Sequence, residues 1–238
     1  MSSIPPGPPP PPPPLPPMPP PTAAATGRIP WEEREVHGFG PALIETVKLF
    51  ITNPSEAWRR TPERGEIINP LLFALIVSWA GAMFGAFYGM FFGAPWMRML
   101  PAGMRDRFPM QGHAVGFVSQ TIIAPIAIAI GLFVASAILH LCLMMVGGLA
   151  SSTSGFDGTF RAVAYSAVAD LANVIPFVGA FAAAVWKLVL VVMGFMALHK
   201  TSQGKAIAAV LIPVIFCCGC AVVAGGVIMG IVFGALNR

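Results

Sequence analysis

The chain has 238 residues, of which 56% are hydrophobic and 10% charged, and its mean hydropathy is +0.76. This composition excludes an ordinary water-soluble globular protein, because one soluble core cannot bury so much apolar surface. The net charge of +4 does not indicate nucleic-acid binding, since Lys and Arg occur singly at the ends of apolar segments. We therefore predict an all-α, polytopic integral membrane protein that contacts the lipid bilayer and binds no nucleic acid.

The N-terminal region, residues 1–40, is predicted to be a disordered cytosolic tail followed by a linker. Residues 5–21 are almost all proline, which fixes φ, removes backbone donors and favours an extended polyproline II rod. Such a rod either binds an aromatic-lined groove on a cytosolic protein or serves only as a solubilising tail. The region lacks the basic and apolar parts of a cleavable signal sequence, so internal helices are expected to direct membrane insertion.

Residues 41–68 are predicted to form two interfacial helices. Apolar residues recur at helical spacing along one face of the first helix: Leu43, Ile44, Val47, Phe50 and Ile51. Thr46 belongs to its polar face. Asn53 and Pro54 then predict the N-cap and first turn of a second helix, which carries Trp58. These helices either lie on the lipid surface or dock on the transmembrane bundle.

The remainder, residues 69–238, contains the apolar segments that we predict to be five transmembrane helices. They lie at residues 69–93, 118–148, 160–175, 180–198 and 206–236. The longer segments exceed what a hydrocarbon core of about 30 Å requires at about 1.5 Å per residue. Five crossings place the termini on opposite sides, and the distribution of Lys and Arg at the segment ends favours a cytosolic N-terminus.

Glycines recur at every fourth position in the first and last apolar segments. They are Gly81, Gly85, Gly89 and Gly93 in the first, and Gly226, Gly230 and Gly234 in the last. Residues at this spacing share one helix face, and small residues let helices approach closely in a membrane. We expect these two helices to pack on each other, or on copies of themselves in a homo-oligomer. A pore lined by the glycine faces is the functional alternative.

Two charged residues, Asp170 and Lys187, lie within the third and fourth apolar segments. Each costs about 2.5 to 3.5 kcal/mol at the centre of a membrane helix. The turn at Pro176–Gly179 brings them to nearly equal depth in an antiparallel hairpin, so we predict an intramembrane ion pair. Asn173, one turn from Asp170, is expected to help satisfy it. The pair is either a structural clasp or part of a proton or ion relay.

Neither metal binding nor catalysis is predicted. His140, Cys142 and the Cys217, Cys218 and Cys220 cluster are soft metal ligands, but their spacing along helices points the thiols apart, and apolar packing is expected instead. The extramembrane parts carry no nucleotide-binding loop, zinc-protease motif or nucleophile with a base. We therefore expect a protein that is not an enzyme and has no cofactor.

Residues 161–213 resemble the Yip family, the Ypt/Rab-interacting multispanning membrane proteins, in its bacterial branch. The residues that carry the resemblance are Arg161, Ala164, Tyr165, Ile175, Pro176, Gly179, Trp186, Gly194, His199, Ser202, Lys205, Ala206 and Pro213. Asn53-Pro54 is also similar to the segment that precedes the first span in such proteins. The resemblance covers about residues 41–236 and excludes the proline tail.

The resemblance implies a five-helix membrane domain with a cytosolic N-terminus. It also implies an adaptor, since eukaryotic members engage prenylated small GTPases and vesicle-coat components and none is a recognised enzyme. The Asp-Leu-Tyr-Gly-Pro motif of the family is not found before the first span, so no GTPase partner is expected.

The function expected from the sequence is therefore a non-enzymatic membrane adaptor or membrane-organising protein in the bacterial inner membrane. Its expected partners are the bilayer, a cytosolic protein on the proline tail, and further copies of itself. The alternative is a small channel or transporter that uses Asp170 and Lys187.

Overall fold

The computed structural model describes residues 27–98 and 113–236 and, within them, most side chains of residues 27–89 and 121–230. The predicted proline rod at residues 5–21 therefore lies outside the described residues. So do the surroundings of Gly93 and Gly234.

The described part of the chain is helical and contains no strand. Its α-helices are α1 (Arg34–His37), α2 (Phe39–Thr52), α3 (Pro54–Arg60), α4 (Ile68–Arg98), α5 (His113–Met145), α6 (Gly155–Tyr165), α7 (Gly179–His199) and α8 (Gln203–Leu236). Two 3₁₀ helices complete it, at Pro30–Glu33 and Ser166–Val174.

Four helices within the described residues are long and apolar enough to cross a membrane. Their candidate spans are Ile68–Gly89 in α4, Thr121–Met145 in α5, Gly179–His199 in α7 and Gln203–Val227 in α8. The predicted third span, residues 160–175, is not one α-helix, because α6 gives way to a 3₁₀ helix at Ser166. The Ser166 hydroxyl donates to the Ala162 carbonyl at 2.6 Å, a bond that competes with the regular helical pattern.

The central segment, α6 with the 3₁₀ helix Ser166–Val174, is the best-buried part of the bundle. Every residue of α6 from Gly158 to Tyr165 is buried, and burial continues through Ala169. The segment packs against α4 on one side and α7 on the other, while α5 contacts α6 and α8 packs on α5 and α7. The membrane region is thus organised around this segment.

Residues 29–33, here called the N-terminal strap, pack into the bundle, although the sequence predicts a disordered tail followed by a linker over residues 1–40. Ile29 and Trp31 are fully buried in the bundle core. Trp31 donates through Nε1 to the Asn69 carbonyl at 2.7 Å and through its backbone N–H to Thr46 Oγ1 at 2.8 Å. The strap is part of the fold because its buried tryptophan supplies apolar area and its polar groups find partners.

The helices α2 and α3 dock on the bundle, which is one of the two predicted alternatives. Asn53 caps α3 as expected, since its side chain accepts from the Glu56 N–H at 3.2 Å. Phe50 stacks on Tyr165 with ring centroids 5.8 Å apart and meets Trp58 edge-on at 4.9 Å. Thr46, assigned to the polar face, is fully buried because it accepts the Trp31 N–H. Apolar Ile44 is instead 67% exposed.

Candidate functional site

The structure brings Asp170 and Lys187 together inside the membrane region. Lys187 Nζ donates to both carboxylate oxygens of Asp170 at 2.9 Å. Ser78 of α4 also donates to Asp170 Oδ2, at 2.6 Å. The carboxylate therefore joins α4, the central segment and α7, and the opposite charges neutralise each other at a depth where an isolated charge is costly.

The turn between the central segment and α7 sets this pairing. Phe177 has φ of 66°, and the N–H groups of Val178 and Gly179 donate to the carbonyls of Pro176 and Ile175. A Cβ at Gly179 would overlap the Ala172 carbonyl, so only glycine allows the two arms to come this close. The end of the central segment and the start of α7 therefore lie at the same depth, because the turn between them is tight.

The expected role of Asn173 is not observed. Asp170 receives its third hydrogen bond from Ser78, which lies 92 residues earlier in the chain, and Asn173 instead lines a cavity of about 370 Å³ with Ser78, Asp170 and Lys187. The sequence offered little signal for Ser78, since a serine in an apolar helix commonly bonds its own backbone.

The central segment, and not α8, fills the glycine groove of α4 at Gly81, while the groove stays open at Gly85 and Gly89. A Cβ at Gly81 would overlap the carbonyl of Asp170, whereas Gly85 and Gly89 have nothing within 4 Å. Gly226 and Gly230 on α8 also face open space, and α4 and α8 share at most a marginal contact in the described chain. The predicted packing of the two helices on each other is therefore not observed among the described residues of one chain.

A second buried polar cluster joins the strap to the central segment, and the sequence analysis missed it. Glu32 Oε1 accepts from Arg161 Nη1 and from the Tyr165 hydroxyl, each at 2.5 Å, and its Oε2 accepts from Asn69 at 3.1 Å. Arg161 donates further to the Glu66 carbonyl at 3.0 Å. The side chains of Arg161 and Glu32 are 1% and 5% exposed. Burial of an arginine requires such a set of acceptors.

A third cluster surrounds His199 where α7 ends. Thr159 Oγ1 lies 3.0 Å from His199 Nε2 and 2.7 Å from His140 Nδ1, so one hydroxyl bridges two imidazoles. Ser152 Oγ lies 2.7 Å from His199 Nδ1. Hydroxyl groups thus occupy both ring nitrogens of His199, and the cluster holds the loop before α6 against the end of α7.

The cysteines do not join these histidines. Cys142 is buried, whereas Cys217, Cys218 and Cys220 are exposed along α8. Among the described residues, no three His, Cys, Asp or Glu side chains are grouped closely enough to hold a metal ion.

The family comparison covers the membrane region of the chain and part of α2. Residues 48–225 match the Yip1 domain. The chain belongs to the Yip1 domain family. No curated protein and no solved structure gives a significant match.

Within the Yip1 domain, several residues that carried the resemblance make close contacts. A Cβ at Gly194 would lie 2.9 Å from the Ala162 Cβ and 3.0 Å from Trp58, so this glycine admits both. Lys205 donates to the Gly147 carbonyl at 3.0 Å. Trp186 packs against the main core, and Pro213 lines a second cavity beside α8. Glu32 lies before the matched region, although both its charged and phenolic partners lie inside it.

Proposed function

We propose that this Yip-family protein is a non-enzymatic membrane adaptor or membrane-organising protein whose presenting surface is its N-terminal region. The observation that supports the proposal is the burial of Glu32 and Trp31, which fixes the strap to the membrane bundle. A presented segment binds a partner at lower entropic cost when its base is rigid.

The outer surface of this region is suited to contact with a partner or a membrane. Val36, Phe39, Ile44 and Ile51 are each more than half exposed on α1 and α2, and Arg59 of α3 is 76% exposed at its side chain. The buried strap, residues 29–33, follows the proline run at residues 5–21 in the chain. We infer that a cytosolic protein binds the tail at this surface.

The proposed topology has five crossings, with a cytosolic N-terminus, in a bacterial inner membrane. The central segment supports the fifth crossing, because it runs beside α4 from the level of Arg161, which contacts Glu66, to Val174, whose carbonyl accepts from Tyr88. From Arg161 to Val174, the last five residues of α6 and the nine 3₁₀ residues extend about 26 Å at about 1.5 and 2.0 Å per residue, which is close to the hydrocarbon thickness of about 30 Å.

The test is purification from native membranes in mild detergent, comparing the full chain with a form lacking residues 1–27. A matched variant keeps the tail length but replaces Pro8–Pro14 with serine. A stoichiometric partner that is retained by the full chain and lost by both variants supports the adaptor proposal. If all three forms yield the same homo-oligomer and nothing else, the proposal fails.

A small channel or transporter is the second candidate, and the 370 Å³ cavity beside Asp170 favours it. Lys187 occupies the place next to the carboxylate where a cation would bind, so transport would require the pair to open. Asp170→Asn should then abolish flux in proteoliposomes while the protein stays folded. If the ion pair is instead a structural clasp, neither the native chain nor the Asp170→Asn variant should show flux.

A further inference from the structure

Two cavities adjoin at the Lys187 side chain. The first, about 370 Å³, contains the polar groups of Ser78, Asp170 and Asn173. The second, about 530 Å³, lies between α5, α7 and α8 and is lined by apolar side chains together with Lys187. Ala135, Val163 and Lys187 line both cavities. Each volume is within the range of small-molecule sites, which combine an apolar lining with a few convergent polar groups.

The polar cavity offers hydrogen-bond donors that the described residues leave unused. Two of the three N–H groups of Lys187 account for its bonds to Asp170. The Asn173 amide has no hydrogen-bond partner among the described residues. The Asn173 side chain is half-buried and lines the cavity with Ser78, Asp170 and Lys187, so its amide N–H groups can donate to an acceptor group of a ligand.

The larger cavity restricts the rest of the ligand. Its walls lie in membrane-spanning helices from Ala135 of α5 to Cys218 of α8, so the ligand must be soluble in the hydrocarbon core. A charged headgroup is disfavoured at this depth, and the Asp170–Lys187 pair already neutralises itself. These conditions select an uncharged molecule with a long apolar chain and an acceptor oxygen.

We propose that the two cavities form one binding site for an uncharged long-chain ester. The alkyl chain lies in the larger cavity beside α8, and the ester carbonyl accepts from the Asn173 amide. The ligand passes from one cavity to the other beside Ala135, whose small side chain lines both. This site is independent of the proposed adaptor surface.

The test uses the full chain in nanodiscs with methyl laurate as the ester and dodecane as the chain without a carbonyl. Two single-cysteine forms report occupancy, with the other cysteines replaced by alanine. Cys218 lines the larger cavity, and Cys220 lies outside it on the same helix. The measured quantity is the rate of reaction with a membrane-permeant maleimide.

Methyl laurate should slow the labelling of Cys218 and leave that of Cys220 unchanged. Half-maximal protection should require about tenfold less ester than dodecane, the effect of one hydrogen bond to a polar or charged donor. Equal protection by both molecules, or equal effects on the two cysteines, would overturn the proposal, since it would indicate an ordinary lipid-contacting surface.

Substitutions separate the two parts of the site. Ala184→Trp places a large ring in the larger cavity and should abolish protection, whereas Val185→Trp, outside both cavities on the same helix, should not. Asn173→Leu and Ala135→Leu should remove the preference for the ester while dodecane still protects Cys218. Retention of that preference in both variants would contradict the proposed position of the carbonyl.

Discussion

Glu32 Oε1 lies 2.5 Å from Arg161 Nη1, although 129 residues separate the two along the chain. The contact joins a segment outside the Yip1 domain to a buried cation within it. Tyr165 donates to the same oxygen, so one carboxylate satisfies two buried groups of the central segment. The strap is therefore attached to the Yip1 domain through the side chain of Glu32.

Glu32→Ala should strongly destabilise the protein. The substitution leaves the guanidinium of Arg161 buried without its ionic partner, a change that costs about 3 to 5 kcal/mol in buried pairs. Thermal unfolding in detergent should show a clear fall in Tm. Glu35→Ala is the matched control, because Glu35 is an exposed residue of the adjoining α1 and should have little effect. Equal Tm values for the two variants would show that the pair does not hold the strap.

Gly81→Leu and Gly85→Leu should differ although the two glycines are one turn apart. A side chain at position 81 would collide with the Asp170 carbonyl and should cost about 1 to 3 kcal/mol or more, seen as a lower Tm. Gly85 faces open space, so its substitution should leave Tm nearly unchanged.

The same pair of variants also tests assembly. If copies pack through the open part of the groove, Gly85→Leu should shift the mass in size-exclusion chromatography with light scattering. An unchanged mass would rule out a homo-oligomer held by this face.

Single substitutions of the intramembrane pair should be worse than the double substitution. Asp170→Asn leaves the Lys187 charge without its partner, and Lys187→Met does the same to Asp170. The double variant carries neither charge, so its yield and Tm should recover toward those of the native chain. If the three variants show additive losses, the two residues do not act as a clasp.

The contact of Glu63 with Lys200 predicts a pH dependence outside the membrane. Lys200 Nζ lies 2.7 Å from Glu63 Oε1, and Thr153 donates to Oε2 at 3.0 Å. These hydrogen bonds, that from Lys200 foremost, hold the pKa of Glu63 below its ordinary value. A lowered folded-state pKa means that the stabilisation is complete above the ordinary carboxyl pKa and is lost as pH falls through the folded value.

The Tm difference between the native chain and Glu63→Gln should thus be present at pH 7 and vanish in acid. Because both side chains are more than a third exposed, the difference corresponds to at most about 1 kcal/mol and should shrink with salt. Glu45→Gln, on the exposed side of α2, is the control. A difference that grows in acid would contradict the assignment.

The sequence predicted those features that depend on local pattern or on the length of apolar runs. Asn53 followed by proline and an acidic residue specified a helix start. A tight turn between two charged arms also led to the expectation that Asp170 and Lys187 meet, because helical rise converts position into depth. The four long apolar helices followed from hydropathy alone.

Features that depend on a distant partner could not be predicted. Nothing near Glu32 in the chain identifies Arg161 as its partner, and a residue such as Thr46 is classified as polar until the Trp31 N–H is known to reach it. The occupant of the α4 groove depends on which helix lies beside Gly81. Glycine spacing shows that one helix face carries only small residues, but it does not identify the helix that packs against this face.

The separation of Glu32 and Arg161 along the chain also has a consequence for how the protein folds during its synthesis. A ribosome completes the strap long before it reaches the central segment, and two apolar helices, α4 and α5, enter the membrane in between. Glu32 therefore waits for Arg161 and Tyr165 during translation, when an incompletely packed segment is vulnerable to misassembly. A nascent chain stalled before residue 161 should expose the strap to added protease, and one released after α7 should protect it.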